Sequence, residues 1–100
     1  MSSFTVKAGV TLPPVLNLAV VMAECFAVEG AQCIITSGTD GKHSANSLHY
    51  SGLALDFRTR HVSVERAQKI AAAARERLGK DYDVVVEGDH IHAEFDKKGV

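Results

Sequence analysis

The hydrophobic residues recur with a helical period in two segments of the chain. The first segment begins at residues 11–14, where a threonine can cap a helix and two prolines favour its first turn, and it ends near Val28. Gly30 can terminate this helix in a left-handed conformation. Val21 and Met22 widen the apolar stripe, so we expect a helix that is buried over much of its circumference. The stripe comprises Val15, Leu16, Ala19, Val20, Ala23, Phe26 and Ala27.

The second helical segment covers residues 64–78. Ser63 can cap its start, Glu65 lies in the first turn where the helix dipole favours an acidic group, and Gly79 can end it. The predicted packing stripe comprises Ala67, Ile70, Ala71, Ala74 and Leu78. The predicted solvent-exposed face comprises Arg66, Lys69, Arg75, Glu76 and Arg77, to which we assign no function.

Shorter β-prone segments occur at residues 32–36, 53–57, 82–87 and 91–95. The last two flank Gly88-Asp89, which predicts a β-hairpin. The segment at 53–57 is apolar except at Asp56, which indicates a central strand buried on both faces. The order helix, strand, loop, strand, helix, hairpin predicts one α+β domain over residues 1–100, with a small antiparallel sheet and two main helices packed on it.

Composition and charge exclude several classes of function. Lys and Arg number 11 against 12 for Asp and Glu, a formal charge of -1, so no nucleic-acid-binding surface is expected. The N-terminus lacks a signal-peptide pattern, and no apolar run approaches the ~20 residues of a membrane span. We therefore expect synthesis in the cytoplasm without membrane insertion, while the oligomeric state stays open. Cys25 and Cys33 are expected to be buried thiols, although a disulfide between them stays open.

Candidate metal ligands occur in two stretches of the chain. His49 and Asp56 lie in the first, and a carboxylate in an apolar strand is costly without a partner such as a metal ion. In the second stretch, His90 and His92 project from the same face of a regular strand, and Glu94 continues that row. One imidazole and one carboxylate do not complete a catalytic zinc shell, which takes three protein ligands and leaves a position for water. A polar, solvent-facing strand edge is the alternative for the second stretch.

The two stretches together resemble a known family, the zinc D-Ala-D-Ala carboxypeptidases, which includes phage L-alanyl-D-glutamate endopeptidases. The resemblance rests on Ser47-x-His49-x-x-Gly52-x-Ala54-x-Asp56, on Asp89-x-x-His92 and on Ile35-Thr36-Ser37-Gly38. It implies that His49, Asp56 and His92 bind zinc and that Asp89 is the general base. It also implies the family's hedgehog/D-Ala-D-Ala peptidase-like fold, a small antiparallel sheet with helices packed on it.

The roles of Asp89 and His90 depend on where the hairpin places their side chains. Asp89 is an odd number of residues from His92, so its role requires that it lie in the turn or at a bulge, and Glu87 is the reserve candidate. We expect His90 to orient a ligand or donate a hydrogen bond to the developing oxyanion. The alternative is that His90 is a fourth ligand, which would close the site and favour a structural zinc.

Substrate recognition is where the chain departs from the family. Many members carry an arginine after the Ser-Gly pair that holds the substrate carboxylate, whereas this chain has Thr39-Asp40-Gly41-Lys42. Arg58, on the strand face of Asp56, is the favoured replacement because a guanidinium can make two hydrogen bonds to a carboxylate, and Lys42 is the other. Ser47 can orient the loop that carries His49 and Tyr50 can line the cleft, with a purely structural role as the alternative for each.

The resemblance implies zinc-dependent hydrolysis of an amide bond in the peptide stem of bacterial peptidoglycan. The enzyme would be of the D,D-carboxypeptidase or the L-alanyl-D-glutamate endopeptidase type, for example a phage lysin that reaches the wall on lysis or as part of a virion. A non-enzymatic, zinc-stabilised cell-wall-binding or virion module is the main alternative. An unmetallated structural domain is a third hypothesis.

Overall fold

A computed structural model describes residues 13–37 and 54–96 of the chain. Their elements follow the predicted order, and the fold class is α+β as predicted. The helices are α1 (Pro14–Val28) and α2 (Val64–Leu78), and the strands are β1 (Ile35–Ser37), β2 (Ala54–Arg58), β3 (Tyr82–Glu87) and β4 (His90–Phe95). Among these residues, neither helix is long and apolar enough to cross a membrane.

The described strands form one antiparallel sheet in the order β1-β2-β4-β3. β2 is therefore a central strand, as predicted, and the hairpin of β3 and β4 turns at Gly88 and Asp89. Alternate residues of each strand point to opposite sides of the sheet. One side packs against both helices, and we call it the helix-covered face. Its buried residues in the core are Phe57, Val84, Ile91 and Ala93.

The ends of both helices follow from local chemistry. Pro14 occupies the first turn of α1, and Gly30 has a φ of 69° just after it. The Gly30 amide donates to the carbonyl of Ala27 (2.9 Å) and the Ala31 amide to that of Phe26 (3.0 Å), as in a Schellman motif. Thr11, the predicted cap of α1, lies outside the described residues.

The prediction for α2 is confirmed at both ends and on both faces. The Ser63 hydroxyl accepts a hydrogen bond from the Arg66 amide at 3.1 Å, and Gly79 follows the last turn with a φ of 87°. Ala67, Ile70, Ala71 and Ala74 are buried, and Leu78 packs against the same core. The residues predicted to face solvent are exposed. Among them, Arg77 also forms an ion pair with Glu24 of α1.

The prediction for the packing stripe of α1 is wrong in part. Leu16 of that stripe is 43% exposed, and Val15, Ala19, Ala23 and Ala27 are only partly buried. Val20 and Phe26 of that stripe are buried, as are Val21 and Met22, which were predicted to widen it. Leu18 and Cys25 are buried as well. Apolar residues surround most of this helix, so periodicity alone does not select the face that packs against α2 and the sheet.

Two predictions for the strands also need correction. β2 is buried on both faces only at its start, because Ala54 is 2% exposed, whereas Asp56 and Arg58, on the same side opposite the helix-covered face, are partly buried and exposed, respectively. β1 begins at Ile35, because the pairing with β2 starts there, and Cys33 therefore precedes the strand.

Both cysteines are free; Cys25 is buried, whereas Cys33 is only partly buried. Burial raises the pKa of the Cys33 thiol to about 11.

Candidate functional site

The side of the sheet that the described helices do not cover carries most of its charged residues, and we call it the polar face. Cross-strand pairing aligns Asp56 with His92 and Arg58 with His90, so these side chains share one face. β3 adds residues in the same register. The polar face comprises Asp56, Arg58, Asp83, Val85, Glu87, His90, His92 and Glu94.

Asp56 and His92, the two predicted zinc ligands among the described residues, are in direct contact. They are direct partners across β2 and β4, and Asp56 Oδ1 lies 2.7 Å from His92 Nδ1. Both side chains are partly exposed, at 28% for Asp56 and 25% for His92. The sequence predicted that Asp56 lies in a strand buried on both faces. Its carboxylate instead contacts an imidazole at a surface that solvent reaches.

Glu94 contacts the other ring nitrogen of His92. Its Oε1 lies 2.8 Å from His92 Nε2, and its side chain is 11% exposed. Burial by itself would lower the pKa of His92, but the hydrogen bonds and charges of Asp56 and Glu94 outweigh it and raise the pKa. The imidazole is thus held between two carboxylates in a defined orientation.

His90 bridges the strand and the turn that precedes it. Its Nδ1 lies 3.0 Å from Asp89 Oδ1, and its Nε2 lies 3.1 Å from Glu87 Oε1 and 3.9 Å from Asp56 Oδ1. The hydrogen bond that His90 donates to Asp89 is the largest cause of a raised His90 pKa, and the nearby Asp56 and Glu87 charges act in the same direction. His90 therefore contacts both candidate bases, Asp89 and Glu87.

Asp89 lies in the two-residue turn between β3 and β4, the position that its proposed role requires. Its backbone carbonyl accepts a hydrogen bond from the Thr59 amide (2.9 Å), which ties the turn to the end of β2. Its Oδ2 accepts hydrogen bonds from Arg60 Nη2 at 3.2 Å and Nε at 3.4 Å. The hydrogen bonds from His90 and Arg60 lower the pKa of this carboxyl group, so it is ionised at neutral pH.

A small pocket of about 140 Å³ connects these groups. It is lined by Thr36, Asp56, Arg58, Arg60, Asp89 and His90. A larger cavity of about 480 Å³ lies on the other side of Arg60 and Asp89, which line both. Its apolar wall comprises Val62, Val64, Ala67 and Val86. Arg58, the predicted carboxylate-binding residue, therefore faces the same space as Asp56 and Asp89.

Several predicted site residues lie outside the described residues. They are the zinc ligand His49 and the substrate-binding candidates Lys42, Ser47 and Tyr50. Among the described ones, Asp56, Asp89, His90 and His92 come together at one end of the polar face, and Arg58 lines the adjacent pocket. The described part of the site thus offers two of the three predicted zinc ligands.

The two described ligands fit a zinc ion by chemistry and placement. Zinc accepts imidazole nitrogen and carboxylate oxygen. His92 Nδ1 and Asp56 Oδ1 are neighbours at a partly exposed point, where their 2.7 Å hydrogen bond would give way to bonds to the ion. A second group of donors, Asp83, Glu94 and Asp96, has ligand atoms within 4.8 Å of one another. That group is all oxygen, a donor set that suits calcium or magnesium better than zinc.

Sequence reasoning missed two residues that contact the site. Glu94 had a signal, because it shares the strand parity of His90 and His92, but it was not assigned a role. Arg60 had none, since it lies beyond the end of β2 and meets Asp89 only through the tertiary contact of that loop with the turn.

Comparisons of the chain with protein-family models, with curated proteins and with solved structures find no match. The resemblance to zinc D-Ala-D-Ala carboxypeptidases therefore rests on the motif residues alone. The fold class of the described residues is α+β with an antiparallel sheet, and the zinc, the substrate and the roles of the site residues are proposals.

Proposed function

We propose that the protein is a zinc metallopeptidase that hydrolyses an amide bond in the peptide stem of bacterial peptidoglycan. The observation that carries the proposal is the pairing of Asp56 with His92 on the polar face, beside Asp89 in the hairpin turn. These three residues come from separate parts of the sequence motif, 33 residues apart from Asp56 to Asp89, and they converge in the fold. His49 would be the third protein ligand.

Two features favour a catalytic zinc over a structural one. The described ligand atoms lie at a partly exposed point, so a position for water remains accessible. Both ring nitrogens of His90 make hydrogen bonds, Nδ1 to Asp89 and Nε2 to Glu87, and Nε2 is 3.9 Å from Asp56. Neither nitrogen is therefore needed as a zinc ligand. Both features favour an open site in which His90 orients Asp89.

When bound, zinc would supply an activated water near neutral pH and polarise the scissile carbonyl. Asp89, which is ionised and lines the same pocket as Asp56, would accept the proton that water loses as its oxygen bonds to the carbonyl carbon. Asp89 would then deliver that proton to the amine nitrogen as the C–N bond breaks. His90 and Arg60 hold its carboxylate in position through the turn.

Arg58 is the favoured group for a substrate carboxylate. It lines the 140 Å³ pocket together with Asp56 and Asp89, the proposed ligand and base. A guanidinium at this point can make two hydrogen bonds to a carboxylate of the peptide stem. Arg60 lines the same pocket, but its guanidinium is engaged by Asp89. Lys42 is the other candidate that the sequence offers.

The proposal is tested by measuring free amines released from purified peptidoglycan. We expect release by the zinc-loaded protein, loss on chelation and recovery on adding zinc. Asp89→Asn should lower the rate by about 10²–10⁴-fold, because it removes the proton acceptor with little change of shape. Glu76→Gln, an exposed carboxylate of α2, is the matched control and should retain the wild-type rate. The products distinguish the two types, since a carboxypeptidase releases D-alanine and an endopeptidase exposes a new stem amine.

The alternative is a zinc-stabilised module that binds the cell wall or a virion without hydrolysis. Stoichiometric zinc with no amine release from any cell-wall peptide would favour this alternative and contradict the enzymatic proposal. Absence of zinc from the purified protein, together with unchanged stability in His92→Ala, would contradict both and favour an unmetallated domain.

A further inference from the structure

We propose that Glu94 is a positioning residue that fixes the ring of His92 for zinc binding. The inference rests on the proposed zinc site, in which His92 is a ligand. His92 Nε2 lies 2.8 Å from Glu94 Oε1, and the opposite nitrogen, Nδ1, lies 2.7 Å from Asp56 Oδ1. Glu94 therefore occupies one ring nitrogen of His92 and leaves the other facing Asp56.

The fold places Glu94 beside His92 for a simple reason. The two residues are separated by one position in β4, so their side chains project from the same face and are neighbours along the strand. The partners of Glu94 across the sheet are Ala54 in β2 and Asp83 in β3. Because Ala54 is short, the carboxylate of Glu94 can turn toward the imidazole without a competing side chain from β2.

Burial makes this contact more than a surface hydrogen bond. Glu94 is among the buried polar residues of the described chain, and its side chain is 11% exposed, whereas those of Asp89 and Glu87 are 57% and 52% exposed. A carboxylate in such a place is costly unless its oxygens are hydrogen-bonded. The imidazole N–H of His92 satisfies one oxygen, so the orientation of the ring and the burial of Glu94 support each other.

The chemical consequence concerns the tautomer of His92. A ring that donates its Nε2 hydrogen to a carboxylate presents the lone pair of Nδ1, which is the form that a metal ion binds. The carboxylate also increases the electron density of the ring and hence its strength as a ligand. Removal of Glu94 would leave the ring free to turn and to exchange tautomers, so zinc binding would weaken without loss of a direct ligand.

The competing role for Glu94 is that of a direct ligand, either to zinc or to a cation held with Asp83 and Asp96. The short contact with His92 favours positioning, because that oxygen is directed at the imidazole nitrogen. Asp83→Asn tests the second of these ligand roles, since Asp83 pairs with Glu94 across the sheet and belongs to the acidic group but has no place in the proposed zinc shell.

The test is the zinc affinity of the full chain, measured by competition with a chromophoric chelator. We expect Glu94→Ala to bind zinc about 10–100-fold more weakly than the wild type. Glu94→Gln keeps an oxygen that accepts the Nε2 hydrogen but loses the charge, so it should restore part of the affinity. Asp83→Asn should bind zinc as the wild type does. Thermal melting of each metal-free variant verifies that it is folded, and Glu94→Gln serves if Glu94→Ala is not.

Substitution of cobalt for zinc supplies a second readout. If Glu94 only positions His92, the visible absorption bands of the cobalt-saturated Glu94 variants should match those of the wild type, because the ligands are the same. Changed bands in Glu94→Ala would identify Glu94 as a ligand and overturn the inference, as would wild-type zinc affinity in that variant. A wild type that binds no zinc would instead contradict the proposed function, so the two failures are distinguishable.

Discussion

The two faces of the sheet are built from the same strands but carry different chemistry. On the helix-covered face, Phe57 and Ile91 are fully buried against α1 and α2. On the polar face, one residue away in each strand, Asp56 and His92 form a partly exposed pair. Side chains alternate between the faces, so three residues of β2 or β4 suffice to place a core residue between two site residues. The core therefore fixes the register on which the site depends.

The faces also differ in what holds them together. Phe57 packs in the core with its ring centroid 6.3 Å from that of Phe26, and burial of such a ring stabilises the fold by several times the effect of an exposed ion pair. The contacts of Arg60, Asp89 and His90 are largely exposed, so they contribute mainly to the geometry of the turn. Substitutions on the two faces should accordingly separate stability from metal binding and catalysis.

The largest expected effect is on stability. Phe57→Ala should lower the free energy of unfolding by about 3–5 kcal/mol, because it removes a fully buried ring and leaves a cavity. Val85→Ala on the polar face is the control: Val85 is 46% exposed, so its truncation should change stability by no more than about 0.5 kcal/mol. Urea denaturation measures both. Equal losses would show that the polar face is also covered.

The second effect is a zinc-dependent stabilisation that belongs to the polar face. Free zinc at 100 times its dissociation constant should add about 2.7 kcal/mol to the free energy of unfolding, because zinc binds the folded chain. Asp56→Asn should abolish this gain, since it removes a proposed ligand, and Asp83→Asn should keep it. Urea denaturation with and without zinc is the measurement. A gain lost in Asp83→Asn but kept in Asp56→Asn would place the cation at the acidic group instead.

The third effect is on substrate binding alone. Arg58→Gln should raise KM about 10-fold for a stem peptide with a free carboxylate, because a charge-assisted hydrogen bond is lost. KM for the amidated peptide should change little, and so should stability, since Arg58 is exposed. Arg66→Gln, an exposed arginine of α2, is the matched control. An equal KM for the two peptides in the wild type would contradict this role.

The smallest effect is on the reactivity of Cys33, which packs against the edge of the core. Because burial raises its pKa from 9.0 to about 11, the folded protein favours the neutral thiol. This contribution to stability is complete below pH 9.0 and is lost as the pH rises toward about 11. Alkylation by iodoacetamide, followed for each thiol by mass spectrometry, should therefore stay slow at pH 8 to 9 and still be rising at pH 10. A midpoint near 9.0, the unshifted value, would contradict the burial of Cys33.

The ends of helices and the hairpin turn were predictable where a few adjacent residues were enough to specify them. Ser63 and Gly79 delimit α2, and Gly88-Asp89 lies between the two strands of the hairpin, because caps and turns depend on a few adjacent residues. The buried face of α1 was not predictable. Its apolar residues leave several faces equivalent, and contacts with α2 and the sheet decide among them.

The site was predictable in part for the same reason. Strand parity placed His90, His92 and Glu94 on one face, and the structure has them there. The contact of Arg60 with Asp89 had no local signal, because residues 29 positions apart meet only when the loop after β2 packs against the hairpin turn. The exposure of Asp56 and Arg58 in β2 likewise depended on both helices lying on the opposite side of the sheet.

The sequence by itself determined the order of the elements, the hairpin and the residue types available for metal binding. These follow from local periodicity, capping and turn chemistry, which need no distant partner. Only the tertiary structure decided that Asp56 would lie opposite His92, that Glu94 would be buried against the imidazole and that Asp89 would be held by Arg60. Those contacts depend on strand register and on the packing of loops, which are set when the helix-covered face closes over the core.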